Sequence, residues 1–557
     1  MMTLYPFRAL ACLVACLVAS TLFAQTQTVG TFLNTPESFN GYTLLDPMGS
    51  TSTHLINNCG EVVNTWSSEF PSGGACYLLE DGSLVRGCRV NGAFTGGGVG
   101  GRLERRSWEG DLLWELDWAD DTQQHHHDFA WMPNGNVLVL AWELRTADEA
   151  AAAGRVNPQT MWPESITEIE PTMPAGGNVV WEWHAWDHLV QDTDPSLAAY
   201  GAPSDSPHRL DVNYADVGGG GGPGGANSGD WMHANAVNYH PGLDQIAISS
   251  RRFNEMWVID HNTTSEQAAG PAGDLLYRFG NPEAYGQGTE DDRLFYGQHD
   301  VQWIPEGHPQ SGQFVIYNNG DDRPGCMCST IDTWTPPLQA DGSYALTAEG
   351  AFGPQGWGWS YPEEPNVSFY SPNISGVQPQ PNGNYLVCEG AGGRLFEVKQ
   401  AGETVWEYIN PEGNFGISPQ GADPQQNSVF RAYRYAPNYP GFDGRDVTPG
   451  EPLEGLSSFS CELHENPIDT TSSAAGPALP NTRILAYPNP TSGTIAVTFP
   501  ARGQWEVLDF AGRSAMHGEA VSTEAIQIDL SLLDPGMWLI LFRDGQSTAA
   551  LRVILTH

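Results

Sequence analysis

The stretch GNVVWEW, residues 177–183, decides the fold because the chain repeats its form. A glycine opens the stretch, apolar residues follow, and aromatic residues alternate with a polar one at its end, as in a β-strand with one buried face. Five variants of this stretch occur, at 60–66, 110–118, 273–279, 355–361 and 402–408. Helical periodicity is almost absent, so the sequence predicts an all-β protein.

Hairpins with a glycine turn precede several of these strands. Five can be recognised, at 73–88, 126–141, 232–251, 298–317 and 375–390. Units of about four strands that repeat every roughly 40 to 60 residues are typical of a β-propeller, whose first strands line a central channel. Six closing strands and five hairpins predict six blades, one of them split between the two ends of the chain. We expect residues 427–442 to pair near residue 42 and so to close the ring.

The pattern divides the chain into four segments. A single arginine and an apolar run predict a secretory signal peptide over residues 1–24. The propeller is expected over 25–445, a linker over 446–482 that is rich in Ser, Thr, Pro and Ala, and a small β-sandwich over 483–557. No segment after the signal is long and apolar enough to predict a transmembrane span.

The overall charge restricts the ligands. The chain has 24 Lys and Arg residues against 66 Asp and Glu, which gives a net charge of −42. Such a field argues against a nucleic acid or an anionic membrane surface as a partner. Any anionic ligand therefore needs a local cationic pocket.

Three histidines occupy similar positions in consecutive hairpins. His127 and His299 each precede their turn glycine by eight residues, and His233 precedes its glycine by nine. Because the first strands of propeller blades line the channel at one level, the three imidazoles are predicted to converge although they lie far apart in sequence.

Arg251 is expected to join this cluster. Gly242 lies nine residues after His233 and nine before Arg251, so an antiparallel hairpin returns Arg251 to the side of His233. Arg252 should then point to the other face.

Three interpretations of the cluster stay open from the residues alone. The guanidinium and imidazoles suit a tetrahedral anion such as sulfate or phosphate, which a neutral histidine can attack. Three imidazoles can also bind zinc with an open fourth position, although Arg251 would then lie near the metal. Finally, the histidines can be structural, with hydrogen bonds between blades. Asp128 and Asp300, which follow two of the histidines, are expected on the opposite face, where they can hold neighbouring backbone.

The chain resembles a known enzyme family over about residues 40 to 445. The stretches HHDFAWMPNGNVLVLA (126–141), DWMHANAVNYHPGLDQIAISSRRFNEMWVID (230–260), GQHDVQWIPEG (297–307) and GRLFEVKQAGETVWEY (393–408) carry the resemblance. Together they resemble the bacterial arylsulfotransferases, aryl-sulfate sulfotransferases that use no nucleotide sulfate donor. The resemblance implies a six-bladed propeller with its site in the channel.

The resemblance also implies the roles of the residues. His299 would be the transiently sulfated nucleophile, and His127, His233 and Arg251 would bind and polarise the sulfuryl oxygens. His126 would replace His127 if the register of the triple histidine shifts by one. The implied partners are a phenolic sulfate donor and a phenolic acceptor, with ping-pong kinetics and neither cofactor nor metal.

The end of the chain resembles a second family. Tyr487, Pro488, Asn489 and Pro490 in YPNPTSG, and the later LLDPGMWLILFRDG, are similar to the type A sorting domain of type IX secretion. The resemblance implies export across the outer membrane by the type IX machinery, to the cell surface or beyond. Two other functions remain open for the whole chain, a non-catalytic binding or scaffold propeller of the cell surface and a metal-dependent hydrolase.

Overall fold

The computed structural model describes most of the chain. The described residues are 27–218, 229–339, 341–455, 459–466, 485–487, 493–499, 502–508, 513–520, 526–533, 536–543 and 548–555. The predicted signal peptide, 1–24, lies outside them. The chain forms two compact units, Met1–Pro467 and Ile468–His557.

Six antiparallel sheets of four or five strands form the main part of the described first unit. We number them by chain order and give each from its first strand outward. Sheet 1 contains Val429–Tyr435, Tyr42–Pro47, Ser52–Asn57 and Val62–Ser67. Sheet 2 contains Ser72–Leu78, Leu84–Arg89, Gly101–Arg106 and Leu112–Asp117. Sheet 3 contains Gln123–Trp131, Val137–Glu143, Glu164–Pro171 and Gly177–His184.

The other three sheets follow the same order. Sheet 4 contains Ala234–His240, Gln245–Ser250, Glu255–Asp260 and Tyr277–Phe279. Sheet 5 contains His299–Trp303, Phe314–Asn318, Thr330–Trp334 and Trp359–Tyr361. Sheet 6 contains Gly376–Pro379, Tyr385–Glu389, Arg394–Val398, Thr404–Ile409 and Gly30–Asn34. Two-stranded pairs join Leu189–Val190 with Leu210–Asp211 and Glu412–Gly413 with Gly416–Ile417.

Helices are short in the described residues. The α-helices are Ala147–Ala152 and Ser265–Ala268. The 3-10 turns are Ala185–His188, Pro203–Asp205, Pro271–Gly273, Pro282–Tyr285, Glu290–Asp292, Gly390–Gly392 and Pro440–Phe442. This composition confirms the predicted all-β class.

The first strands of the six sheets contact one another in a closed sequence. Each touches the first strand of the next sheet, and the first strand of sheet 6 touches that of sheet 1. Apolar clusters fill the spaces between neighbouring sheets, for example between sheets 3 and 4 and between sheets 4 and 5. The arrangement is consistent with a β-propeller.

The tryptophans of the repeated aromatic strands connect neighbouring sheets. Trp66 in the last strand of sheet 1 is buried and donates its indole N–H to Ser107 O in sheet 2, at 2.9 Å. Trp114 in sheet 2 donates to Gly176 O before the last strand of sheet 3, at 2.8 Å. Trp406 in sheet 6 donates to Asn58 O in sheet 1, at 2.7 Å. A buried indole needs such an acceptor, so the same residue returns at the same place.

The two ends of the chain meet in sheet 1. Val429–Tyr435 pairs with Tyr42–Pro47, as predicted for the closing hairpin. Beyond residue 445 the chain stays on this unit, since Cys461 forms a disulfide with Cys59. The segment predicted as a linker, 446–482, therefore begins with residues that pack on the first unit.

The second unit contains two antiparallel sheets in its described part. Leu485–Tyr487, Thr494–Thr498 and Ile526–Asp529 form one, and Ser514–Ala520, Gly503–Leu508, Gly536–Arg543 and Thr548–Leu555 form the other. Side chains of both sheets, including Ile495, Val507 and Phe542, share one apolar cluster. The predicted sandwich stays a prediction. Across the described residues of both units, no helix has the length and apolar character to cross a membrane.

Candidate functional site

The first strand of sheet 3 carries a bulge at the triple histidine. Its pairing with Val137–Glu143 shifts register between Val139 and Ala141, and His127 has a φ of +56°. A bulge places an extra residue in one strand and redirects side chains. His127 and Asp128 consequently face different partners.

His127 and His233 meet, as the alignment of the hairpins predicted. Their ring centroids lie 4.7 Å apart in an edge-to-face arrangement. His233 Nδ1 lies 2.5 Å from a carboxylate oxygen of Asp230, which is itself fully buried. Burial acts to raise the pKa of Asp230, but His233 lowers it below its usual value. Asp230 thus fixes the orientation of the His233 ring.

The Nδ1 atom of His299 is held by hydrogen bonds. It lies 2.7 Å from Asn319 Oδ1 and 3.1 Å from Gly297 O. Both partners accept, because the Asn319 amide nitrogen already donates to Ser371 O and Ile374 O. Nδ1 therefore carries the hydrogen and Nε2 keeps its lone pair.

Two causes keep His299 uncharged. The side chain is 1% exposed, and this burial lowers its pKa well below the usual value. The positive charge of Arg251 lowers the pKa further, with a smaller contribution from His233. Burial likewise lowers the pKa of His127. His127 and His233 are in ring contact, and Arg251 lies close enough to His299 to lower the pKa of that imidazole.

Arg251 directly follows the second strand of sheet 4. Its backbone N–H donates to His233 O at 3.2 Å, which is the predicted pairing. Its guanidinium binds Asp321 at 2.6 Å and lines a pocket of about 450 Å³ with Arg252, Arg293 and Gly297. The pocket provides local cations in a strongly acidic protein, although Asp216, Glu290, Asp321 and Asp322 also line it.

Arg252 was predicted to point away from the site, and the structure contradicts this prediction. Its Nε lies 4.0 Å from the Asp230 carboxylate that holds His233, and its charge lowers the pKa of Asp230. The strand of sheet 4 ends at Ser250, so strict alternation no longer applies at Arg252.

Asp128 and Asp300 hold backbone on the opposite face, as predicted. Asp128 accepts from the N–H of Val237 at 3.0 Å, and Asp300 from that of Val377 at 2.8 Å. Both carboxylates also bind Arg431, at 2.6 and 3.2 Å. Arg431 thereby ties together the strands that carry His127 and His299.

His126 lies behind His127 rather than replacing it. Its Nδ1 is 2.8 Å from His127 Nδ1, and its Nε2 is 2.7 Å from a carboxyl oxygen of Glu164. His127 is the residue whose ring meets His233, which favours His127 over the alternative His126.

Sequence reasoning missed several neighbours of the histidines, namely Glu164, Asp230, Asn319 and Arg431. Asn319 had a usable signal, because it lies two residues after Tyr317, the strand partner of His299. Glu164 and Arg431 had none, because each comes from an element far away in sequence.

A second pocket, of about 360 Å³, is lined by Asp128, Asp300, Arg431 and several tyrosines but by none of the four predicted site residues. Within the described ranges no group of three or more His, Cys, Asp and Glu side chains could hold a metal ion.

Solved structures that resemble the chain are distant in sequence. A protein of unknown function from Bacteroides caccae is 12% identical, with 71% of this chain and 99% of that chain covered and a TM-score of 0.38. A periplasmic gluconolactonase from Pseudomonas aeruginosa is 11% identical, with 72% and 100% covered and a TM-score of 0.35. A virginiamycin B lyase from Staphylococcus aureus is 10% identical, with 68% and 88% covered and a TM-score of 0.31. No curated protein matches the chain.

Two family models match the sequence. Residues 98–331 match the arylsulfotransferase (ASST) family, and residues 485–556 match the secretion system C-terminal sorting domain. The first match contains His127, His233, Arg251 and His299. The second indicates export to the cell surface or into the medium and handling by the type IX secretion system. The chain therefore combines a match to the arylsulfotransferase (ASST) family at 98–331 with a match to a C-terminal secretion sorting domain at 485–556.

Proposed function

We propose that this protein transfers a sulfuryl group from a phenolic sulfate ester to a phenolic acceptor through a sulfohistidine on His299. The supporting observation is the state of His299, a buried neutral imidazole whose Nδ1–H is anchored by Asn319 and whose Nε2 keeps its lone pair. In this proposal the six sheets are six propeller blades, and the site lies in their central channel. The first unit is followed by a sorting domain with a β-sandwich fold.

The first half-reaction forms a nitrogen–sulfur bond. Nε2 of His299 attacks sulfur in line with the phenolic oxygen, and the sulfur–oxygen bond to that oxygen breaks. His127, His233 and Arg251 surround the oxygens of the sulfate ester, where donors fixed in a water-poor site stabilise the transition state. In the second half-reaction the oxygen of an acceptor phenol attacks the same sulfur and gives up its proton, the nitrogen–sulfur bond breaks, and His299 is restored.

Arg251 has to exchange partners during binding. It is held by Asp321 at 2.6 Å, and the pair is partly exposed. A sulfuryl oxygen replaces that carboxylate as the ligand of the guanidinium. Since partly exposed ion pairs contribute about 1 kcal/mol or less, the exchange is inexpensive.

The activity test uses a chromogenic phenyl sulfate with and without a phenolic acceptor, and with no added metal or nucleotide. Release of phenol that depends on the acceptor supports the transferase. Release of free sulfate without an acceptor, or inhibition by a chelator, would favour a metal-dependent hydrolase. Complete inertness would favour a non-catalytic surface propeller.

The nucleophile is tested by mass. After rapid quenching, the intact wild-type chain should gain one SO₃ group on mixing with donor alone, and His299→Asn should not. His308→Asn is the matched control, since His308 lies in the same hairpin region but bonds Gln310 N–H away from the cluster. An adduct that still accumulates in His299→Asn would contradict the assignment of the nucleophile.

A further inference from the structure

A chain of hydrogen bonds leads from the histidine cluster into the interior of sheet 3. One carboxyl oxygen of Glu164 lies 2.7 Å from His126 Nε2, and His126 Nδ1 lies 2.8 Å from His127 Nδ1. Glu164 and His126 are fully buried, and His127 is 2% exposed. The donor and acceptor roles along this chain determine which nitrogen of His127 carries its hydrogen.

The contacts allow two arrangements of protons. If Glu164 is ionised, His126 donates from Nε2, and the bond between the two Nδ1 atoms takes its hydrogen from His127. If Glu164 is protonated, it donates to His126 Nε2, and His126 donates from Nδ1 to His127. The hydrogen of a neutral His127 is then on Nε2.

Burial favours the second arrangement. It raises the pKa of Glu164 well above its usual value and lowers the pKa of His126 well below its own. Both shifts favour the uncharged form of the group concerned. The second oxygen of Glu164 accepts from the N–H of Ala234 at 2.8 Å, as the carbonyl oxygen of a protonated carboxyl group does.

Packing fixes the orientation of the two imidazole rings in this series of hydrogen bonds. The ring of His126 is stacked on Trp142 with centroids 4.0 Å apart and planes 10° apart. The ring of His127 is fixed between His126 and His233, and Gly98 borders its Nε2. Rings that cannot rotate keep their hydrogen-bonding nitrogens aligned.

We propose that Glu164 and His126 form a proton relay that acts through His127 on the leaving oxygen of the sulfate donor. This inference rests on the proposed sulfuryl transfer. His127 is the residue that touches the substrate, whereas Glu164 and His126 are positioning residues that hold and supply its proton.

The proton balance closes over the two half-reactions. When the sulfur–oxygen bond breaks, His127 Nε2–H protonates the phenolate oxygen, His126 Nδ1–H protonates His127 Nδ1, and the Glu164 carboxyl protonates His126 Nε2. The phenol leaves neutral, and Glu164 becomes a carboxylate. The acceptor phenol later returns a proton along the same path as its oxygen attacks sulfur. No proton has to be taken from solvent.

The test is Glu164→Gln with a series of aryl sulfates whose phenols differ in acidity. The amide can donate to His126 Nε2 and accept from Ala234 N–H, but it cannot release a proton. Because general acid catalysis contributes about 100-fold to 10,000-fold, phenol release from phenyl sulfate should fall about 100-fold or more, and release from nitrophenyl sulfate less than about 10-fold. The dependence of rate on leaving-group acidity should therefore steepen.

Glu168→Gln is the matched control. Glu168 is on the same strand and also contacts a histidine, His261, at 3.1 Å, but it is not connected to the cluster. Its replacement should leave the dependence on leaving-group acidity unchanged. If Glu164→Gln lowers the rates of all donors by one common factor, the role of Glu164 is structural and the relay is wrong.

A measurement without substrate tests the proton relay independently of the proposed sulfuryl transfer. Nitrogen-15 NMR of labelled histidines, assigned by comparison with His127→Gln, should show His127 as the Nε2–H tautomer and His126 as the Nδ1–H tautomer. The Nδ1–H tautomer of His127 would overturn the relay even in an active enzyme. A wild-type protein with the expected tautomers but no phenol release would instead contradict the proposed function.

Discussion

Asn319 Oδ1 accepts a hydrogen bond from His299 Nδ1–H at 2.7 Å, and the Asn319 amide nitrogen is tied to two backbone carbonyls. A 180° flip of this side-chain amide would therefore lose both contacts with the carbonyl oxygens. The amide holds the imidazole in a single tautomer, with the lone pair on Nε2. An asparagine that follows the second strand of sheet 5 thus determines which nitrogen keeps its lone pair in the histidine that begins the first strand.

Asn319→Ala should slow formation of the sulfated enzyme on the order of 100-fold, because the ring loses the partner that fixes its tautomer. Asn319→Asp should behave differently. A carboxylate beside Nδ1–H raises the pKa of His299, so the acidic limb of the rate profile should move to higher pH. Single-turnover rates measured against pH test both expectations. Asn318→Ala serves as the control, and an unshifted profile in Asn319→Asp would refute the contact.

Gly98→Ala should block the site. A Cβ at Gly98 would lie 2.0 Å from His127 Nε2, and Gly98 has a φ of +75°. Gly135→Ala separates the two effects, since Gly135 has a φ of +89° and open space around its Cβ. Both variants should lose about 1 to 2 kcal/mol of stability from a non-glycine residue at positive φ, and Gly98→Ala should lose more because of the clash. Only Gly98→Ala should also abolish the sulfated adduct by mass, and full adduct in that variant would exclude the contact.

Arg431→Met should destabilise the first unit by about 3 to 5 kcal/mol, because it leaves the buried carboxylates of Asp128 and Asp300 unpaired. Arg445→Met removes an exposed partner of Glu109 and should cost about 1 kcal/mol or less. Urea unfolding of the two variants measures the difference. Equal losses would mean that Arg431 does not hold the two carboxylates in solution.

Stability should fall as pH is lowered from 7 to 5. Burial lowers the pKa of His125 to about 3. The unfolded chain has an ordinary histidine pKa of about 6.5, so it binds the proton first and acid favours unfolding. His125 alone should account for about 2 kcal/mol between these pH values.

His125→Gln should flatten this dependence by the same amount in urea unfolding at the two pH values. His261 acts in the opposite direction. Burial alone would lower its pKa, but Asp244 and Glu168 raise the pKa to about 9. Its stabilisation is complete in acid and is lost only as pH rises through about 9. An unchanged slope in His125→Gln would show that His125 is not a buried neutral group.

Much of the site could be predicted from sequence because the hairpins that carry its residues repeat along the chain with similar spacing. His127 and His299 precede their turn glycines by the same number of residues, and a hairpin returns Arg251 to His233. Local strand geometry and the equivalence of repeated units fix these positions without any knowledge of packing. Arg252 departs from the prediction because its strand ends two residues earlier.

The sequence by itself determined the all-β class, the repeated sheets, the closure near residue 42 and the four candidate residues, since these depend on alternation and on repetition. Only the tertiary structure decided the protonation and orientation of the histidines. Asn319, Glu164, Asp230 and Arg431 reach them from other segments, and each effect depends on burial and on distances of a few ångströms. Neither quantity is encoded in the spacing of residues along one strand.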